Sequence, residues 1–230
     1  MRIGLVLALS ALVGLALGAA VLRIAGAPPP VDLPAAVGDA LVRSGVDNPV
    51  TAVLLNFRAY DTLLEVAVLV IAGVAALSPE RATPLAAPAL RSANILLHAL
   101  VAWFVPLMLV LAAYLVWAGG HRPGGAFQAG AVLAAAGVLM RLAGVPLHVL
   151  GNDLRFRAGL VLGLATLLLV ALLGASSGGG FLAYPPALAG TLILVVEVLL
   201  ALSIALVLLV LFVSAPPSDG DAASTGDEGV

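Results

Sequence analysis

Six long apolar runs, separated by short connections rich in glycine, proline and charged residues, make up most of the chain. They cover residues 5–22, 49–77, 95–117, 124–140, 158–175 and 186–213. A helix of about 20 mostly apolar residues is long enough to cross the hydrocarbon core of a bilayer, where every backbone polar group has to be bonded internally. The pattern therefore predicts an all-α integral membrane protein with about six transmembrane helices.

Composition supports a membrane protein and removes several function classes. The chain is 63% hydrophobic and only 10% charged, and its mean hydropathy is +1.20. It has no cysteine, which excludes disulfides and cysteine catalysis, and its ten basic residues form no patch for nucleic acid. None of the three histidines has a second histidine or a carboxylate three or four positions away. We expect no enzyme activity, no cofactor and no metal site.

Arginine positions predict how the chain lies in the membrane. With the N-terminus in the cytoplasm, six arginines fall on the cytoplasmic side and three outside, which favours cytoplasmic N- and C-termini. A cleaved signal peptide is the alternative for residues 1–24, but the first run exceeds the usual signal core of about 7–15 residues, which favours a retained helix. Residues 214–230 are polar and acidic, which predicts a disordered tail. The predicted membrane-interface anchors are Trp103, Tyr114, Trp117 and Tyr184.

A glycine-rich connection at residues 119–130 reads Gly-Gly-His-Arg-Pro-Gly-Gly-Ala-Phe-Gln-Ala-Gly. Pro123 suits the first turn of a helix, where its missing N–H would have no partner, and therefore predicts a helix start. The glycines and alanines after it leave so little side-chain volume that another helix can approach closely. A short loop joined to a small-residue packing surface explains this pattern on physical grounds alone. The residues assigned to subunit packing are Gly120, His121, Pro123, Gly124, Gly125, Phe127 and Gly130.

This motif resembles the Pro-Gly-Gly-Gly-Phe-Gln-Gly-Gly signature of the MnhB/MrpB subunit of Mrp-type multisubunit cation/proton antiporters. Alanines stand at positions 126 and 129, where the signature has glycines, and one residue rather than two separates His121 from Pro123. The resemblance covers about residues 90–213. It implies a four-helix membrane domain that works inside a larger antiporter complex.

The second apolar run carries an unusual set of polar side chains and contains no glycine or proline between residues 50 and 72. On one continuous helix, five of them fall within an arc of about 100°. A charge at the bilayer centre costs about 2.5–3.5 kcal/mol on insertion scales, so this stripe must face protein, water or other charges. The five residues are Thr51, Arg58, Asp61, Thr62 and Glu65.

Two interpretations of this stripe remain open. Arg58 is placed to pair with Asp61 three residues later, which leaves Glu65 to hold a proton or share a cation. That arrangement is typical of a proton or sodium relay. Alternatively, the Arg58–Asp61 pair only fixes helix packing, and Glu65 reaches toward a membrane interface.

Residues 45–78 also resemble the short MbhE-type subunit, whose equivalent in Mrp systems is the C-terminal part of the large MrpA subunit. The core of that family is Phe-Arg-Gly-Phe-Asp-Thr-x-x-Glu, and here Ala59 and Tyr60 replace its glycine and its second phenylalanine. The resemblance implies an ion path near Asp61 and Glu65, with Arg58 as their partner. We therefore divide the chain into residues 1–44, an MbhE-like segment 45–89, an MnhB-like domain 90–213 and a tail 214–230.

Glu197 is a second deep acid, eleven residues into the last apolar run. Thr191 and Ser203 fall on other faces of the same helix, so nothing there bonds the carboxyl group. The group must be protonated or meet a partner from another helix or subunit, because an isolated charge there is costly. A proton-carrying role and a plain interhelical hydrogen bond both agree with the sequence.

Together the two resemblances imply a multi-pass subunit of a monovalent cation (Na+)/proton antiporter complex in the plasma membrane of a prokaryote. Its partners would be other membrane subunits of the complex, Na+, H+ and the lipid bilayer, with no nucleic acid. Two alternatives remain: a non-conducting structural subunit, and a subunit of a membrane-bound hydrogenase or ferredoxin-linked ion-pumping complex.

Overall fold

A computed structural model describes residues 2–26, 32–77, 95–147, 154–176, 180–185 and 187–214. These residues form helices and connections without a strand. A π-helical segment, Val53–Phe57, joins the third helix to the fourth. The α-helices are α1 (Arg2–Ala25), α2 (Leu33–Leu41), α3 (Pro49–Ala52), α4 (Ala59–Ala76), α5 (Ile95–Gly119), α6 (Ala126–Leu142), α7 (Leu154–Ser176) and α8 (Ala189–Val213). The predicted acidic tail beyond residue 214 lies outside the described part.

Helix lengths confirm the all-α membrane class. Five helices, α1, α4, α5, α7 and α8, are long and apolar enough to cross a membrane. Helix α6 is apolar but has 17 residues, or about 26 Å at 1.5 Å per residue. Each of the six predicted apolar runs overlaps one of these six helices. The chain is a multi-pass membrane protein.

The chain divides into two compact units, residues 1–39 and residues 40–230. In the first unit, the window Val6–Ala25 of α1 is apolar and long enough to cross a membrane. In the second unit, α8 is the most buried spanning helix and packs against α4, α5, α6 and α7.

Contacts at small residues show the directions of the helices around α8. On α6, a Cβ at Gly130 would lie 2.8 Å from Ile204 Cγ2, and one at Gly137 would lie 2.9 Å from Leu209 Cδ2. The order of these contacts shows that α6 runs parallel to α8. Such close approach of backbones through glycine is a common way to pack helices in membranes.

Helix α7 runs in the opposite direction to α8. A Cβ at Gly163 would lie 2.9 Å from Leu200 Cδ2, and the Ser203 hydroxyl donates a 2.6 Å hydrogen bond to the Leu160 carbonyl. Residue numbers therefore fall along α7 as they rise along α8. The hydroxyl bond is buried, so it adds an interhelical polar contact inside an otherwise apolar interface.

The predicted continuous second span is wrong, because α3 and α4 are separated by the π-helical segment. The Arg58 N–H donates to the Val53 carbonyl at 2.8 Å, five residues back, and Arg58 has φ −128° and ψ 32°. A π-turn inserts one residue into the helical repeat and so rotates the next part of the helix about its axis. Thr51 and Thr62 are buried, while Arg58 and Glu65 are exposed. The predicted single polar stripe is thus split between two faces.

The predicted helix start at Pro123 is also wrong. Helix α6 begins at Ala126, and its N-cap is Gly125 with φ 110° and ψ −174°. That conformation is open to glycine but not to ordinary L residues, and it cannot belong to a helix. The helix therefore begins three residues later than proline chemistry suggested, and Pro123 lies in the preceding turn.

Candidate functional site

The connection between α5 and α6 is held by residues about 70 positions earlier in the chain. The Asn48 side-chain amide donates to the carbonyls of Gly119 (3.0 Å) and Arg122 (2.8 Å). The Thr51 hydroxyl also donates to the Gly119 carbonyl, and the N–H groups of Asp47 and Asn48 donate to the Gly120 carbonyl at 2.9 and 3.0 Å. We call this set of bonds the 48–122 clamp. It satisfies carbonyl groups at the end of α5 that have no partner inside the helix.

Two further features support the clamp. Asn48 is the N-cap of α3 and accepts from the Val50 N–H at 3.0 Å, with Pro49 at the first helical position. At the surface, His121 Nδ1 lies 2.9 Å from Asp47 Oδ2. Both side chains of that pair are exposed, so it contributes at most about 1 kcal/mol. The structure therefore places His121 at the rim of the clamp.

Glu197 is only 3% exposed, and its carboxyl group lies at the N-terminus of α6. The backbone N–H of Ala126 donates to it. A Cβ at Gly119 would lie 2.9 Å from Glu197 Oε1, and one at Gly125 would lie 2.8 Å from the same atom. Both glycines therefore leave the space that the carboxyl group occupies. Unpaired N–H groups and the partial positive charge at a helix N-terminus stabilise a carboxylate there.

A cavity of about 220 Å³ lies beside Glu197. Its lining includes the polar residues Thr51, Thr62, Gln128 and Glu197. A cavity of this size has room for several waters, each of which needs two to four polar partners. The other lining residues are Val50, Leu54, Leu55, Gly124, Gly125, Ala126, Phe127 and Leu200.

The break between α3 and α4 shapes one wall of this cavity. The Thr62 hydroxyl donates a 2.6 Å hydrogen bond to the Leu54 carbonyl, eight residues earlier. No regular α-helix brings those two groups together, because its repeat joins residues three or four apart. The bond therefore satisfies a carbonyl in the π-helical segment and holds Thr62 against the cavity.

The predicted Arg58–Asp61 ion pair is present, but both side chains are exposed on the outside of the second unit. Glu65 is exposed on α4 and lines an open groove of about 510 Å³ with Leu64, Val68, Leu69 and Phe127. The four predicted ion-path residues are therefore not in one place. Glu197 is inside, and Arg58, Asp61 and Glu65 are outside, with Phe127 lining both the cavity and the groove.

Tyr184, a predicted membrane-interface anchor, is only 8% exposed. Its hydroxyl is buried without a hydrogen-bond partner in the part of the chain that the structure describes. Burial, and to a smaller extent the negative charge of Glu197, raises the pKa of Tyr184 to about 12. The general preference of tyrosine for interfaces does not reveal a tertiary contact of this kind, so no sequence signal indicates it.

The family model described as a domain related to the MnhB subunit of Na+/H+ antiporter matches residues 96–215, just over half of the chain. The chain belongs to the MnhB family. The MnhB domain contains α6, α7, α8 and nearly all of α5, and therefore both the glycine motif and Glu197. Asn48, Thr51 and the charged part of α4 lie before it. No curated protein matched the chain.

Two solved structures share the fold of this MnhB-family chain. A chain of the Mrp complex from Dietzia sp. DQ12-45-1b has 24% sequence identity and a TM-score of 0.69 over 95% of this chain. A chain of the membrane-bound sulfane sulfur reductase (MBS), an archaeal respiratory membrane complex, has 22% identity and a TM-score of 0.69 over 90% of this chain. The MnhB-family chain spans 26% of the first of these chains and 96% of the second.

Proposed function

We propose that this protein is an integral membrane subunit of an Mrp-type multisubunit Na+/proton antiporter in the plasma membrane of a prokaryote. Membership of the MnhB family supports this function, and the fold shared with a chain of an Mrp complex agrees with it. The predicted orientation has both termini in the cytoplasm. Other membrane subunits, Na+, H+ and the lipid bilayer are its proposed partners.

We further propose that residues 45–89 are an MbhE-like segment fused to the MnhB-like domain. The 48–122 clamp supports this, because residues of the segment bond directly to the glycine motif. The Mrp-complex chain also matches far more of this protein than the MnhB family model does, 95% of the chain against residues 96–215. Two modules that pack in this way act as one structural unit.

The proposed ion path uses Arg58 at the start of α4, Asp61 and Glu65 on α4, and Glu197 on α8. The observation that carries this proposal is Glu197, which is buried in a spanning helix and lines a cavity together with Thr51, Thr62 and Gln128. Intramembrane acids are rare and are functional candidates by default. A carboxyl group with space for water next to it can take up and release a proton.

The test is transport by the whole complex in inverted membrane vesicles. Glu65→Gln and Glu197→Gln keep side-chain shape but remove the ionisable group. We expect each to reduce Na+-driven proton movement at least about tenfold, in keeping with the effect of losing a proton-transfer group. Asp39→Asn is the matched control, since Asp39 is an exposed acid on α2. Wild-type transport rates in both Gln variants, at equal amounts of complex, would rule out the relay role.

A structural role is the second candidate, favoured by the hydrogen bond between Ala126 and Glu197 and by the clamp. If Glu197 only joins α8 to α6, then Glu197→Gln should lower the amount of assembled complex while the remaining complex keeps its turnover. Measuring transport per assembled complex separates the two roles.

A third candidate is a subunit of a hydrogenase- or ferredoxin-linked ion-pumping complex. The fold shared with a chain of an archaeal respiratory complex, 96% of which is covered, favours it. Mass spectrometry of the complex purified in mild detergent distinguishes the possibilities. Antiporter-like subunits alone support the antiporter, and a redox subunit in the same complex supports the third candidate.

A further inference from the structure

The outward side of α4 combines charge with a continuous apolar surface. Its exposed side chains recur at helical spacing, from Asp61 through Leu64 and Glu65 to Val68 and Ile71. The opposite side of α4, which includes Thr62, Val66 and Val70, is buried against the rest of the second unit. We call the outward set, residues 61, 64, 65, 68 and 71, the Glu65 face.

The Glu65 face is a poor surface for lipid. Arg58 is already bonded to Asp61, and within the described ranges no cation forms an ion pair with Glu65. The chain contains no lysine that could supply one. A carboxyl group exposed to hydrocarbon on a spanning helix costs about 2.5–3.5 kcal/mol on insertion scales. Water alone is an equally poor neighbour for the large apolar side chains of Leu64, Val68 and Ile71.

Shape adds to the charge argument. The groove of about 510 Å³ beside Glu65 is open and lined by Leu64, Val68, Leu69 and Phe127. An apolar groove with one acid at its side suits a helix that brings apolar side chains and a single positive group. Membrane helices pack through such contacts, with polar side chains bonded across the interface.

We propose that the Glu65 face binds a transmembrane helix of a neighbouring subunit that presents a cationic side chain, lysine, arginine or histidine, at the level of Glu65. This rests on the proposal that the protein is a subunit of a membrane complex. The ion pair across the interface satisfies Glu65, and the apolar part of the partner helix covers the groove. The exposed outer side of α5, with Trp103, Leu107 and Val110, is apolar and carries no acid that would need a cation from a partner.

Site-directed photocrosslinking in the whole complex tests this face, and the chain has no native cysteine to remove. Val68→Cys and Val110→Cys are matched variants, because the two valines are 66% and 67% exposed. Each would be labelled with a maleimide–benzophenone and irradiated in the membrane. We expect Val68→Cys to capture a segment that mass spectrometry maps to a spanning helix with a cationic residue within about one turn of the crosslink. Capture of lipid only, of a second copy of this chain, or of a helix without a cation would overturn the inference.

Charge reversal provides an independent measurement. Like charges facing each other at an interface cost several kcal/mol, so Glu65→Lys should lower recovery of the complex at least about tenfold and more than Glu65→Gln, which loses the ion pair without adding repulsion. Replacing the captured cation by glutamate in the partner should restore assembly with Glu65→Lys. Normal assembly of Glu65→Lys alone would contradict the ion pair. If no other subunit co-purifies with the wild-type protein, the proposed function fails. If the complex forms but Val68→Cys captures no helix, only this inference fails.

Discussion

Replacing Gly125 by alanine tests directly how Glu197 is held. Gly125 has φ 110°, and a Cβ there would lie 2.8 Å from Glu197 Oε1. The backbone strain costs about 1–3 kcal/mol for a non-glycine residue. Moving the carboxyl group away from the Ala126 N–H leaves a buried polar group unpaired, which costs about 1–3 kcal/mol more. Gly125→Ala should therefore lower the free energy of unfolding by about 2–6 kcal/mol.

Thermal unfolding in detergent, followed by the fluorescence of the two tryptophans, measures this change. For chains of 150–250 residues, 1 kcal/mol shifts Tm by about 2–4 °C, so we expect a decrease of roughly 4–24 °C. Gly120→Ala is the matched control from the same connection. Its Cβ would meet nothing closer than Val46 Cγ1 at 3.9 Å, and its φ is not positive, so Tm should change by no more than about 2 °C.

A double substitution separates the two causes. In a Glu197→Ala background, the new Cβ at position 125 no longer meets a carboxyl oxygen, and only the backbone strain of about 1–3 kcal/mol remains. The two changes should therefore be less than additive. Equal Tm values for Gly125→Ala and Gly120→Ala would refute both the backbone strain and the displacement of the Glu197 carboxyl group. Full additivity with Glu197→Ala would refute the part that involves the carboxyl group.

Three further substitutions test other contacts. Asn48→Ala removes two hydrogen bonds of the clamp and an N-cap, so it should lower the free energy of unfolding by about 2–4 kcal/mol. Asn56→Ala loses one bond to the Ser44 carbonyl and should lower it by about 1 kcal/mol. Denaturation midpoints of the two variants compare these effects. Ser203→Ala should lower the free energy of unfolding by about 0.6–1.7 kcal/mol, because it loses a buried interhelical hydrogen bond. The Thr166 hydroxyl is exposed and bonds within its own helix, so Thr166→Val should lower it by about 0.5 kcal/mol or less. Tm values of the two variants test this difference. Tyr184→Phe should be neutral or stabilising at pH 7, because the lost hydroxyl has no partner among the described residues. Tyrosine has a pKa near 10 when unfolded and a pKa of about 12 at position 184, so the unfolded state loses its proton first as the pH rises. The free energy of unfolding of the wild type should therefore fall by about 3 kcal/mol between pH 10 and pH 12, and that of Tyr184→Phe should fall less.

The apolar runs predicted the helices well because membrane helices must satisfy their own backbone, and length and hydropathy report that requirement directly. The Arg58–Asp61 pair could also be predicted from spacing alone, since i,i+3 neighbours share a helix face. The extra residue of the π-helical segment could not be predicted in this way, because the spacing of residues in the sequence does not show where a helical repeat is lengthened. Residues 50–72 contain no glycine or proline, so nothing in the run indicated the π-helical segment that separates Arg58 from Thr51.

The sequence could predict that Glu197 needs a partner, but it could not predict which group supplies it. A buried acid in an apolar helix must meet something, and the sequence showed no partner within α8. That the partner is the N-terminus of α6 depends on α6 and α8 running parallel, which is a tertiary fact. The glycines at 119 and 125 were visible as small residues, but their reason, the space for a carboxyl group, required the packed structure.

The π-helical segment Val53–Phe57 sets the rotation of α4 about its own axis. Removing one residue there would restore a regular repeat and turn α4 by about 100° relative to α3. Glu65 would then point away from the groove, and Val66 and Val70 would lose their buried positions. In this part of the chain, the number of residues therefore matters more than their identity, and a deletion of one residue should be far more harmful than most substitutions.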